Sequence, residues 1–271
     1  MGFFKAILLG IIQGLAEFLP ISSSGHLKLA QYFLHTEEAA GSEFDIFLHL
    51  GTLVAVLIYF RKEIWALCIS LFKLKNNLDN QVHYHNRLWI LYLGLSTATT
   101  LVFYLVFQDW LDKLFDKPNP LIIALMLSIT GLIVFISDKV KNCRIPAFSM
   151  GFIRSVIIGL GQGIAIIPGI SRSGTTIAVS LFCGIKRKDA ARYSFLLSIP
   201  AILGANLKEL SSFKELQSSE LAIYLAGFVS AAVVGYAVIS LLISFIQNSK
   251  LKYFSYYCWA LALVTVLIVA I

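Results

Sequence analysis

Five stretches of this chain, 44–60, 88–107, 121–136, 221–246 and 253–271, are almost wholly apolar. Most approach the roughly 20 residues that a helix needs to cross the hydrocarbon of a bilayer. Backbone polar groups in lipid must be paired inside the membrane-spanning structure itself, and runs without strand-like alternation leave only the helix. The reading is an all-α integral membrane protein. Composition agrees: 58% of residues are hydrophobic and 14% charged, against about one quarter charged in a soluble domain. A net charge of +7 would suggest a nucleic-acid partner in a soluble protein. Here the basic residues flank the apolar runs, so the expected partner is the bilayer with its anionic lipids, and no nucleic acid. Cys68, Cys143, Cys183 and Cys258 form no CxxC pair and have no metal-ligand spacing, so they read as small packing residues. The N-terminal apolar stretch lacks a basic leader region and runs into polar residues, which argues against a cleavable signal peptide.

Short loops rich in Lys and Arg stay on the cytoplasmic side. Segments 61–87, 138–154 and 186–192, with Lys250 and Lys252, have that character; 108–119 and 208–220 carry acidic residues instead. Threading the chain through these loops gives six spans: 44–60, 88–107, 120–137, 191–207, 221–246 and 253–271. Two apolar stretches remain, 3–35 and 151–185, each broken by Pro, Gly and Ser. A single full crossing by either would put the loops on the wrong sides, so both read as re-entrant helical hairpins. The first enters from outside and the second from the cytoplasm. Irregular backbone at such depth is tolerated where protein or a water-filled cavity satisfies it.

The two breaks are related. Gln13-Gly14-Leu15-Ala16 matches Gln162-Gly163-Ile164-Ala165 at an offset of 149, and Ser22-Ser23-Ser24-Gly25 matches Ser171-Arg172-Ser173-Gly174 at the same offset. One membrane domain therefore holds two repeats, 1–137 and 151–271. Each has one hairpin and three spans, and the odd number inverts the second relative to the first. In inverted repeats with broken helices the site is expected where the breaks meet. That places Glu17, the Ser22–Ser24 turn and His26 opposite Ser171, Arg172, Ser173 and Thr175.

Ionisable groups at membrane depth are costly and functional by default. Gln13 and Glu17 lie one turn apart on one helix face. Glycines at helix starts allow close approach to a ligand, and free N–H groups there bind anions. Arg172 adds a planar fork suited to phosphate. Ser22, Ser24, Gly25, Ser171, Ser173, Gly174 and Thr175 are the expected phosphate-binding set. Glu17 does not belong in a plain anion cradle; it would hold a divalent cation or act as a base. His26 is open to acid, base or nucleophile roles, and Ser23 or Ser22 to that of nucleophile. The combination suits phosphoryl transfer or hydrolysis.

The segment 13–26, with Glu17-Phe18-Leu19-Pro20-Ile21-Ser22-Ser23-Ser24-Gly25-His26, resembles the first signature of the bacterial undecaprenyl-diphosphate phosphatases of the BacA type. Pro168-Gly169-Ile170-Ser171-Arg172-Ser173 resembles the second. The resemblance implies removal of the terminal phosphate of undecaprenyl diphosphate, regenerating the lipid carrier for peptidoglycan synthesis in the bacterial inner membrane. It also implies a link to bacitracin resistance and a divalent cation, Mg²⁺ or Ca²⁺. By motif position it makes Glu17, His26, Ser23 and Arg172 catalytic, with Glu17 and Gln13 at the metal. Gln13 stands where many members have Glu, which leaves one carboxylate fewer. The site is expected to open to the external side, and a homodimer is left open. A second class, a transporter or flippase of a phosphorylated polyprenyl lipid, is kept alive by the inverted repeat. A small-ion channel fits poorly with Arg, Glu and His in one site.

Overall fold

A computed structural model of the chain describes residues 2–72, 80–116, 119–210 and 218–270. These form eleven α-helices: α1 (Phe3–Phe18), α2 (Ser23–Phe33), α3 (Glu37–Tyr59), α4 (Arg61–Phe72), α5 (Asn80–Asp116), α6 (Pro120–Asp138), α7 (Gly151–Ile164), α8 (Arg172–Phe182), α9 (Arg187–Leu210), α10 (Ser218–Gln247) and α11 (Lys252–Val269). Among the described residues the remaining regular pairing is a single bridge between Ile145 and Ile185. The protein is an all-α integral membrane protein.

Four of these helices are long and apolar enough to cross a bilayer: 81–111, 120–138, 220–247 and 252–269. The pair 43–59 and 61–72, bent by 74° between its two helices, is apolar enough for a fifth if the two are one broken span rather than a re-entrant loop. The sixth expected span lies in α9, which is long enough but more polar. Its residues Ala190, Ala191, Tyr193, Ser194, Phe195, Leu196, Leu197 and Ser198 are all buried, so the first half of α9 is largely covered by protein, while Leu203 and Leu207 beyond it are exposed. A stretch covered in that way need not be apolar enough for lipid.

The bend after α3 corrects the expected cytoplasmic loop, which begins as a helix. Arg61 donates to the carbonyl of Ile58 at 2.8 Å, closing the last turn of α3. Two residues on, Glu63 accepts from Arg192 Nη2 at 2.6 Å and from its Nε at 3.2 Å, tying α4 to α9. The acidic segment expected as an external loop is also helical as far as Asp116. Most of the basic residues expected in 61–87 are described, but Lys73 and Lys75 lie outside the described residues. Of the four cysteines, Cys258 is buried as expected of a packing residue, whereas Cys68 is exposed on α4.

The packing is reciprocal. α1 lies along α10, and α7 lies along α5; α3 meets α9, and α6 meets α11. Around the centre, Phe18 packs edge-on against Phe195, which also meets Phe60. Tyr193 is fully buried and shares a hydrogen bond with Ser96 at 2.8 Å. Outward faces of α5 and α11 carry exposed Leu101, Val102, Leu105 and Val106, and Leu263, Val264, Leu267 and Ile268, as lipid contact requires.

Lipid supplies little hydrophobic drive between helices, so close backbone approach matters more. A Cβ at Gly10 would sit 2.4 Å from the carbonyl oxygen of Gly227, and one at Gly51 the same distance from that of Phe228. Backbone cannot move aside cheaply on both partners. Gly10→Val is therefore expected to cost about 1–3 kcal/mol in overpacking and to lower the thermal midpoint in detergent by roughly 5 °C. Gly94→Ala, where the added carbon meets nothing within 4 Å, is expected to leave the midpoint unchanged. Equal midpoints for the two variants would show that α1 and α10 are not in contact.

Candidate active site

The break between α1 and α2 spans residues 19–22, and that between α7 and α8 spans 165–171. Pro20 and Pro168 end regular bonding by removing a donor. Each break restarts as a helix through the same device at matching positions. Ser22 Oγ accepts from the Gly25 N–H at 3.3 Å, and Ser171 Oγ accepts from the Gly174 N–H at 3.0 Å. Both are N-caps. Ser22 adopts φ of +73°, a conformation rarely held by a residue with a side chain.

The breaks touch. Ser173 donates to the carbonyl of Leu19 at 2.9 Å, adding a second donor to an oxygen that already accepts from the Ile21 N–H at 2.8 Å. A Cβ at Gly174 would lie 3.2 Å from Pro20, and one at Gly25 3.1 Å from the Cα of Gly169. Thr130 of α6 pins the second break at two points. It donates to the Gly169 carbonyl at 2.8 Å and accepts from the Ser171 N–H at 3.0 Å. Gly169 has φ of +91°, and a Cβ there would fall 2.6 Å from Met126, so only glycine serves.

At this junction Arg172 forms an ion pair with Glu17 across the two halves, through Nη2 and Oε1. The other carboxylate oxygen, Oε2, accepts from Ser23 Oγ at 2.6 Å and from Gln13 Nε2 at 2.9 Å. The sequence thus placed Gln13, Glu17, Ser23 and Arg172 together, and the structure does so. His26 sits on the first turn of α2. Its Nδ1 is 2.8 Å from the carbonyl oxygen of Ser22, and its Nε2 is 2.9 Å from the hydroxyl of Tyr257.

Exposure divides the expected residues into two groups. Ser23, Ser24, His26 and Arg172 are partly exposed and can meet a ligand. Ser22, Gly25, Ser171, Ser173, Gly174 and Thr175 are buried. Ser22, Ser171 and Ser173 already use their hydroxyls within the turns. The Thr175 methyl faces Gly161 of α7. The buried set therefore builds the frame, and the accessible set lines the opening.

Three residues enter that the expected site did not include. His49 of α3 has its Nδ1 2.9 Å from Gln13 Nε2 and 3.6 Å from Glu17 Oε2. The amide must donate to the carboxylate, so its second N–H points to His49, whose Nδ1 accepts. One turn before His49, Asp45 accepts from Gln31 at 2.7 Å and lies 3.5 Å from the Lys28 ammonium. A histidine inside an apolar run was the visible signal for this side of the site. Tyr257 carried no such signal, because it stands in an aromatic stretch, Tyr256-Tyr257-Cys258-Trp259, more than 230 positions from its partner.

Among the described residues no group of three or more His, Cys, Asp or Glu side chains is arranged to hold a metal ion. The Gln13 Oε1 atom, however, is buried with no hydrogen-bond partner. With Glu17 beside it, the donor set is one carboxylate and one free amide oxygen. Mg²⁺ is commonly held by one or two carboxylates together with substrate phosphates. A divalent cation at this place would take these two as its protein donors, with the substrate completing its shell. At the matching position in the second half, Gln162 donates instead to Thr100 at 3.0 Å, and Ile166 stands where Glu17 would be. The second half supplies the arginine but no carboxylate.

Glu17 is almost fully buried, with 4% of its side chain exposed, against 17% for Arg172. Removing one member strands the other, and stranded buried charges cost about 3–5 kcal/mol. Glu17→Leu and Arg172→Leu are each expected to destabilise the detergent-solubilised protein by that order. The double variant is expected to recover more than half of the loss. Additive losses in chemical denaturation would mean that the two side chains do not interact.

The family model described as "Bacitracin resistance protein BacA" matches residues 6–264. A protein of Syntrophotalea carbinolica named undecaprenyl-diphosphatase is 42% identical over 263 residues, covering 96% of both chains. One of the same name from Treponema denticola is 42% identical, covering 97% of this chain and 96% of its own. Another, from Methanosphaera stadtmanae, is 38% identical over 97% of both. With nearly its whole length inside the match, the chain belongs to the BacA family.

Proposed function

We propose that this protein is an undecaprenyl-diphosphatase that removes the terminal phosphate of undecaprenyl diphosphate and so regenerates the monophosphate carrier for cell-wall synthesis. Homologues named for this activity cover almost the entire chain. The observation that carries the reading is one carboxylate contacting a serine hydroxyl from the first break and an arginine from the second. A phosphoryl group needs a nucleophile, a proton acceptor and charge neutralisation, and these three stand together.

Of the candidate nucleophiles, the geometry favours Ser23. Its hydroxyl already points its proton at Glu17 Oε2 at 2.6 Å, within reach for general-base transfer. His26 holds its Nδ1 on the Ser22 carbonyl and its Nε2 on Tyr257. Ser23 Oγ attacks the terminal phosphorus, and its proton passes to Glu17. The bond from that phosphorus to the bridging oxygen breaks, and undecaprenyl phosphate leaves. Water then attacks the phosphoserine, Ser23 takes its proton back from Glu17, and both water protons leave with the phosphate. Arg172 stabilises the charge on the transferring group, and Ser24 and His26 lie on the same accessible turn. Glu17 and Gln13 Oε1 would hold a divalent cation, Mg²⁺ or Ca²⁺, which when bound neutralises charge on the diphosphate.

The same reading has two architectural parts. Residues 1–137 and 151–271 form an inverted repeat, supported by the reciprocal pairing of α1 with α10 and α7 with α5. The site opens to the external face of the bacterial inner membrane, supported by the basic residues around Arg61, Arg144 and Lys188 at the opposite side.

Purified protein is expected to release phosphate from undecaprenyl diphosphate. Glu17→Ala, Ser23→Ala and Arg172→Ala are each expected to lower kcat by about a thousandfold or more, and EDTA is expected to suppress activity until a divalent cation is returned. In right-side-out vesicles the phosphate should appear outside. Lipid movement without phosphate release would instead identify a carrier. Activity indifferent to chelation would remove the cation from Glu17.

A further inference from the structure

The hydrogen bonds around His26 fix more than its place. Its Nδ1 lies 2.8 Å from the Ser22 carbonyl oxygen, the same oxygen that accepts from the His26 backbone N–H at 3.1 Å. A carbonyl can only accept, so Nδ1 carries the proton and the neutral ring keeps its lone pair on Nε2. That lone pair faces the hydroxyl of Tyr257 at 2.9 Å, and the hydroxyl must be the donor. The two rings also lie nearly parallel, 11° apart, with centroids separated by 5.5 Å. Tyr257 reaches the site from α11, and its neighbour Cys258 is packed against the Pro20 carbonyl at the first break. The tyrosine is thus anchored to the very turn that carries His26.

We propose that Tyr257 is a positioning residue for His26: the tyrosine ring sets the plane of the imidazole, and its hydroxyl fixes the direction of the Nε2 lone pair. The inference rests on the phosphatase reading above and adds to it that His26, on the accessible turn beside Ser23, takes part in the reaction through that lone pair. Its chemical content is separate from that role. The turn chooses the tautomer through Ser22, and α11 chooses the direction in which the remaining lone pair points. With Tyr257 absent, χ2 of His26 is restrained by one hydrogen bond instead of two, and the ring can rotate its basic nitrogen away from the opening. The α11 helix thereby contributes to a site otherwise assembled from the two breaks and α3.

Tyr257→Phe tests this, because it keeps the ring stack and removes only the hydroxyl. In ¹⁵N-histidine spectra of the detergent-solubilised protein, the His26 Nε2 resonance, assigned by its loss in His26→Gln, should move toward the value of a free lone pair. In the phosphatase assay kcat should fall about tenfold with KM within about twofold. In the His26→Gln background, Tyr257→Phe should have no further effect on kcat. An unmoved Nε2 resonance would overturn the proposal, as would an equal kcat loss in both backgrounds. Full activity of His26→Gln would instead refute the part given to His26 in the reaction, while the resonance shift would still report whether Tyr257 holds it.

Discussion

A carbonyl oxygen at membrane depth has to be given donors, and that of Leu19 takes one from its own break, the Ile21 N–H, and one across the two halves, the hydroxyl of Ser173. Much of the centre follows from this contact. Breaking a helix inside the bilayer leaves polar backbone that lipid cannot satisfy. Here each break is completed from elsewhere in the chain: Ser173 serves the first, and Thr130 serves the second through Gly169 and Ser171. The bond from Ser173 ties the two breaks to each other. Once they meet, the residues that follow them in sequence, Ser23 and Arg172, are brought to one carboxylate.

The two halves have diverged in what they bring. Both use a serine to cap the returning helix. Only the first supplies a carboxylate, and only the second supplies an arginine at the position of Ser23. The ion pair therefore also serves as the seam between halves. A buried pair of this kind adds little net stability relative to an apolar contact, so its retention is better explained by chemistry than by packing. The apolar contribution comes from elsewhere, from Phe18, Phe60 and Phe195 below the breaks and from the glycine contacts of α1 with α10.

The helical membrane class could be read from the apolar runs, and the meeting of the breaks from the Gln-Gly and Ser-x-Ser-Gly matches. Those signals are legible because polar residues, Pro and Gly have few reasons to occur in a lipid-crossing stretch. Four features were not. The 74° bend after Tyr59 depends on Glu63 finding Arg192, a tertiary pairing with no local signature. The covered first half of α9 was taken as part of an ordinary span because hydropathy does not separate lipid-facing from protein-facing positions. Among the serines, residue type alone could not tell a cap from a ligand contact. Ser22 and Ser23 are adjacent and chemically identical, yet one is buried on a backbone N–H and the other donates to Glu17. Tyr257 was hidden because its aromatic ring looks like interface packing until its hydroxyl is seen on His26.

The central claim is that one substrate phosphate is held by both breaks at once. An experimental structure with a methylene-bridged polyprenyl diphosphonate, which cannot be hydrolysed at the bridge, tests it most directly. The account predicts the terminal phosphonate between Ser23 Oγ and the Arg172 guanidinium, with Glu17 within reach of the serine. Density for the phosphonate at any place that Ser23 and Arg172 do not both touch would contradict it.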